Sequence, residues 1–262
     1  MLDKVKGAAG SVPYGMTEIE WEARCELAAA YRLASLYGWT DLNNTHFSLR
    51  VPGTDDEFLL NPFGLFFDEI TASSLIKVNR EGVVVGDASY PLNPAGFIIH
   101  GAIHLSKAAH NCVIHTHSRF GTAVAMQKQG LLPASQKALT VMGWTGYHDF
   151  EGPALDAEEQ PRIVRDLGDK RVLILRNHGL MTVGASAGEA FVWMYRIETA
   201  CRQQIDSLSG GTLLAPLSEA TQQKSIAQGL KMYGKGGFIG VGLEWPALLR
   251  QLVRAGMDDY RV

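Results

Sequence analysis

Arg171-Val172-Leu173-Ile174-Leu175-Arg176 is the clearest β-strand in this chain, and it runs directly into Asn177-His178-Gly179. Its core is an unbroken apolar run, short and rich in branched residues, and Gly179 bounds it. Cys112-Val113-Ile114-His115-Thr116-His117 reads as a second short buried strand. Side chains alternate faces along a strand, so the rings of His115 and His117 point the same way and can meet on one ion. The plainer alternative is a pair of half-buried, hydrogen-bonded and inert histidines near a strand end. His178 sharpens the metal reading: it sits at the end of the strongest strand, beside a glycine that lets the backbone turn or another chain approach. Three imidazoles leave a coordination position open, which is the pattern of catalytic zinc rather than structural zinc. Imidazole nitrogen also suits iron, nickel or copper.

Around these strands the chain alternates helical and extended patterns. Thr17 to Tyr37 reads as a helix, with Thr17 and Glu20 as a capping box and Gly38 as its stop. Thr45–Val51 and Phe58–Leu60 read as strands. Ala72–Ile76 reads as a helical turn before a strand at Lys77-Val78, and Glu81-Gly82 as a turn into Val83–Val85. Ile98–Ala109 and a segment ending at Met126 are expected to be helical, whereas Lys137–Met142 is ambiguous. Met181–Val183 continues from the Arg171–Arg176 strand, either as a hairpin or as one bent strand. Ser186–Ser207 is a long helix, and Thr221–Tyr233 and Pro246–Ala255 are weaker ones. The glycine-rich loop from Gly234 to Gly242 lacks the Lys-Ser/Thr pair of a phosphate loop.

The 262 residues suffice for one large α/β domain, expected over residues 17–262 behind a loose arm at 1–16. A net charge of −3 offers no basic stripe for nucleic acid, and no apolar run is long enough for a membrane span. The N-terminal residues lack the apolar stretch of a secretory signal. Three scattered cysteines, Cys25, Cys112 and Cys201, fit neither a disulfide framework nor a thiolate zinc site. A cytoplasmic location is therefore expected.

Taken together, the Cys112–His117 run and Asn177-His178-Gly179 resemble the class II aldolase/adducin family. The likeness extends from about Thr17 to Gly211 and includes Leu60-Asn61-Pro62-Phe63-Gly64-Leu65, Thr71–Leu75 and Gly130-Leu131-Leu132-Pro133. It implies a three-layer α/β/α fold with a central, mainly antiparallel sheet, and a homotetramer. It also implies a divalent metal on His115, His117 and His178, with Zn2+ expected and Fe2+ or Mn2+ as alternatives. In the sugar-phosphate aldolases of the family that metal polarises a carbonyl and stabilises an enediolate.

The sequence departs from those aldolases at two places. Their acid/base glutamate aligns with Gly96, in Pro94-Ala95-Gly96-Phe97, and glycine cannot move a proton. Phe63 stands where a hydroxyl would help to hold a phosphate, and Thr45-His46-Phe47-Ser48 replaces a further phosphate loop. A phosphate dianion needs several donors or a cation to offset its desolvation, so a non-phosphorylated substrate is expected. Phe63, Phe66 and Phe67 are candidates for a pocket lining, with core or subunit interface the favoured alternative. Candidate acid/base groups are His100 on a helix, with His104 one turn on, and Tyr147 and His148, with Asp149 and Glu151 as bases. His100 is also a candidate fourth ligand; the plain alternatives are a polar helix face for His100 and a solvated loop for Tyr147–Gly152. Asp68 and Glu69 are weaker candidates.

Three functional readings follow. The favoured one is a metal-dependent lyase that cleaves an aldol, or decarboxylates a β-keto acid through a metal-stabilised enolate, on a small carbonyl substrate. The second is a non-haem Fe(II) oxygenase on the same three histidines, as in one branch of the family. The third is a non-catalytic oligomerisation module, since the adducin head resembles this chain in both histidine motifs and at Gly96-Phe97, Gly130–Pro133 and Tyr147-His148-Asp149. These segments place the chain nearer the adducin-like branch than the aldolases.

Overall fold

The computed structural model describes residues 12–13, 15–86, 90–92, 94–106, 110–152, 157–211, 213–237 and 239–262. Nearly all of the arm expected at 1–16 lies outside them. Helix α1 (Glu18–Leu36) starts where its cap places it: the Thr17 hydroxyl accepts from the Glu20 amide at 3.1 Å. The return half of the capping box is absent, because the Glu20 carboxylate turns to Arg24 and Lys77. Gly38, at φ +69°, ends the helix. Strands β1 (His46–Arg50), β2 (Glu57–Leu60) and β3 (Ile76–Asn79) follow. Of Val83–Val85, only Val84 forms a bridge, to Val78.

Helix α2 (Pro94–Ser106) begins earlier than the periodicity suggests, at a proline suited to a first helical turn. Then come β4 (Cys112–Thr116), α3 (Arg119–Ala125) and α4 (Gln136–Met142). The ambiguous Lys137–Met142 segment is thus helical, and the Ser135 hydroxyl caps it by accepting from Ala138 at 3.2 Å. Two elements have no counterpart in the sequence reading: strand β5 (Thr145–His148) and helix α5 (Gln160–Leu167). Strand β6 (Val172–Leu175) and β7 (Gly179–Gly184) form a hairpin rather than one bent strand. Helices α6 (Ala187–Ser209), α7 (Glu219–Tyr233) and α8 (Val241–Ala255) complete the chain.

The strands make one seven-stranded sheet in the order β3-β2-β1-β4-β7-β6-β5. Every pairing is antiparallel except β5 with β6. One face carries Phe47, Ile114, Ile174 and Leu180 into the main core, beneath α1, α6 and α8. The other carries Val113, Leu173, Met181 and Val183 against α2 and α5. Covering both faces is why Val172–Leu175 is apolar on both sides and shows no polar alternation. This is the expected α/β/α arrangement. Each fully buried Leu, Ile or Phe in these layers contributes roughly 1.5–3 kcal/mol of apolar transfer. Phe67 belongs to the main core, edge-on to Tyr31 at 4.7 Å, while Phe63 and Phe66 are exposed. The three cysteines are free and buried. No described helix is long and apolar enough to cross a membrane.

Candidate metal centre

His115 lies in β4, at the centre of the sheet. His117 follows its last residue, and His178 occupies the tight β6–β7 turn. That turn needs a left-handed residue, and Asn177 supplies it at φ +57°. Gly179 is needed for a second reason: a Cβ there would stand 2.4 Å from the Thr116 carbonyl oxygen. The close approach of turn and strand end brings the three rings together. His117 Nε2 lies 3.1 Å from His115 Nε2 and 3.0 Å from His178 Nε2.

The proton positions follow from the partners. His115 Nδ1 faces the Leu180 carbonyl at 3.0 Å, and His117 Nδ1 faces the Asp41 carboxylate at 2.8 Å. Both partners only accept, so each ring donates from Nδ1 and turns its Nε2 toward the common centre. A tetrahedral ion with bonds of about 2.0–2.1 Å would hold such nitrogens roughly 3.3–3.4 Å apart, so small ring movements admit it. Burial, followed by the neighbouring His178, holds His115 well below the usual histidine range. Burial, followed by His117, lowers His178 to about 4. Neutral imidazoles are the form that binds metal. The donor set therefore fits a divalent ion.

Asp41 carries no signature in the sequence. It lies in a loop with no metal-motif spacing, and only the fold carries it to His117. Outer partners of this kind typically change metal affinity about 10–100-fold. Asp41→Ala should weaken binding by that factor in a chelator competition; an unchanged affinity would separate Asp41 from the site.

The other candidate residues are dispersed. His100 is fully buried and faces polar side chains rather than the three converging nitrogens: its Nε2 meets His46 Nδ1 at 3.0 Å and its Nδ1 meets Ser48 Oγ at 2.6 Å. His46, like Asp41, has no ligand spacing in the sequence; its ring stands 5.3 Å from that of His115. His148 lies on the α5 side of the sheet, with Nδ1 at 2.8 Å from Asp166 and Nε2 at 3.1 Å from Glu159. Both of its nitrogens are thereby engaged by carboxylates. Tyr147 points to the opposite face, where its hydroxyl accepts from the Leu131 amide at 3.0 Å and Arg176 lies over its ring. Asp149 pairs with Arg176 and Glu151 with Arg162, both at the surface. Asp68 and Glu69 are exposed. Gly96 falls in the first turn of α2.

Burial lowers His46 and His104 to about 3 each. Protons therefore bind the unfolded chain, near 6.5, before the folded one. Stability from these groups is complete above about pH 6.5 and falls as the pH drops toward 3, by up to about 1.4 kcal/mol per pH unit for each ring. Urea midpoints measured from pH 7 to 4 should decline accordingly; a flat profile would contradict this.

Residues 25–205 match the family described as Class II Aldolase and Adducin N-terminal domain. An aldolase II superfamily protein from Pseudomonas syringae is 48% identical, with a TM-score of 0.88 over 97% of this chain and 100% of that one. The L-fuculose 1-phosphate aldolase from Glaciozyma antarctica is 25% identical, with a TM-score of 0.77 over 97% of both chains. Rattus norvegicus alpha-adducin is 43% identical over 80% of this chain and 29% of its own length. The chain belongs to the class II aldolase/adducin family.

Proposed function

We propose that the protein is a divalent-metal-dependent carbon–carbon lyase acting on a small, non-phosphorylated carbonyl compound, with zinc as its metal. The observation that carries this reading is the convergence of three imidazole Nε2 atoms, two of their rings oriented by outer hydrogen bonds. A site of three imidazoles leaves positions open for substrate. A divalent ion there supplies Lewis-acid polarisation of a substrate oxygen. The chain's own groups hold and orient: Asp41 and the Leu180 carbonyl fix two ligand rings, and His46 lines the site beside His115. With no carboxylate at Gly96, decarboxylation of a β-keto acid demands less of the protein than aldol cleavage does, because carbon dioxide leaves without removal of a proton by a base.

The alpha-adducin likeness supports a second reading, a non-catalytic module, and the same histidines suit Fe(II) for a third. Metal analysis of anaerobically purified protein, with turnover assays on β-keto acids and aldols, separates them. Zinc or manganese with carbon–carbon cleavage is the expected result. Iron with oxygen-dependent turnover, or a site without metal or turnover, overturns the lyase reading. We also propose a homotetramer, supported by the family. Light scattering should then give four times the chain mass of 28.6 kDa, and a stable monomer at micromolar concentration would refute it.

A further inference from the structure

The sheet face that bears the metal centre also holds a file of buried polar groups. His46 and Ser48 project to the same side of β1, and His100 and His104 meet them from α2, one turn apart. His46 Nδ1 lies 3.0 Å from His100 Nε2, and His100 Nδ1 lies 2.6 Å from Ser48 Oγ. Ser48 Oγ is 2.7 Å from His104 Nε2, and His104 Nδ1 is 3.3 Å from the His110 carbonyl oxygen. All four side chains are buried.

The file has one direction. A carbonyl oxygen only accepts, so His104 carries its proton on Nδ1. Burial keeps His104 and His100 neutral, so His104 Nε2 is an acceptor. The Ser48 hydroxyl therefore donates to His104 and accepts from His100 Nδ1–H. His100 Nε2 is then the acceptor, and His46 Nδ1–H the donor. The far edge of the His46 imidazole is left with a bare Nε2. His46 sits opposite His115 in the β1–β4 register, its ring 5.3 Å from that ring.

We propose that Ser48, His100 and His104 are positioning residues that hold His46 as a hydrogen-bond acceptor beside the metal centre, so that the substrate group received there is a neutral donor, a hydroxyl or an amine, and not an oxyanion. The substrate part of this rests on the lyase reading; the tautomer part does not. An acceptor lone pair repels a phosphate or carboxylate oxygen, and His46 is buried, where water relieves such repulsion least. Reversing the file would need the weak terminal bond to a carbonyl to be given up and a bare Nδ1 turned toward it.

The test is long-range 1H–15N correlation of the metal-free full chain at neutral pH, which separates the two neutral histidine tautomers without any turnover. His46, His100 and His104 should each show a single Nδ1–H form. Ser48→Ala should leave His46 a mixture of tautomers, and Ser48→Thr, which keeps the hydroxyl, should restore the single form. Inorganic phosphate at millimolar concentration should leave the His46 signals unmoved. An Nε2–H form of His46 in the wild type, an unchanged single form in Ser48→Ala, or a phosphate-dependent shift at His46 overturns the proposal. Should Ser48→Ala fail to fold, the wild-type spectrum and the phosphate titration still decide it. Absence of lyase activity with these spectra as expected would count against the proposed function and leave the positioning role standing.

Discussion

His115→Ala and His178→Ala should each reduce bound metal from stoichiometric to under about a tenth, because losing a ligand weakens affinity by more than the 10–100-fold expected for an outer partner. Each variant removes one of three converging nitrogens, and two imidazoles alone leave an ion mostly to water. The two differ in their effect on folding. His178 lies in a turn and is partly exposed, so its loss should barely shift the melting temperature of the metal-free protein. His115 is buried and donates to the Leu180 carbonyl, so its removal should cost about 1–3 kcal/mol. Elemental analysis of the purified variants checks the first claim and urea unfolding the second. Full metal occupancy in both variants would place the site elsewhere.

Metal-loaded protein should not cleave fuculose phosphate or ribulose phosphate above background. The likeness to an L-fuculose 1-phosphate aldolase makes this a demanding test, since the fold is shared over nearly the whole chain. Two differences act together. Gly96 in the first turn of α2 carries no carboxylate, and general acid/base catalysis typically contributes about 10²–10⁴-fold. Phe63 provides no hydroxyl for a phosphate, which removes binding energy used for orientation. Robust cleavage of either compound would refute the argument and would require another group to move the proton. Gly96→Glu gives the complementary measurement: a gain of aldol cleavage would show that the remaining groups are still arranged for that reaction.

The sequence displays the central strands and the three ligand positions because each depends on local pattern. The apolar run at Val172–Leu175, the one-residue spacing of His115 and His117, and the glycine after His178 are all visible within a few residues. What escaped detection depends on tertiary contact. β5 contains Gly146 and two titratable residues, and it becomes a strand only by adding in parallel to β6. The polar α5 buries little besides Ile163 and Leu167. Tyr147 and His148 are adjacent and look like one acid/base pair, yet strand alternation sends them to opposite faces of the sheet. Asp41 and His46 have no spacing signature relative to the ligands. The first reaches His117 through a loop, and the second reaches His115 through strand register.

His117 and His178 are separated by 61 positions in the chain. An ion held by both would therefore be a reversible staple across a long loop, bound by the folded chain and released by the unfolded one, so its stabilisation would grow with the logarithm of metal concentration over the dissociation constant. The ligands meet only where the β4–β7 pairing brings the strand end and the turn together, so holding the ion requires that pairing intact. Bound metal should then slow the unfolding of the finished protein more than it speeds its formation.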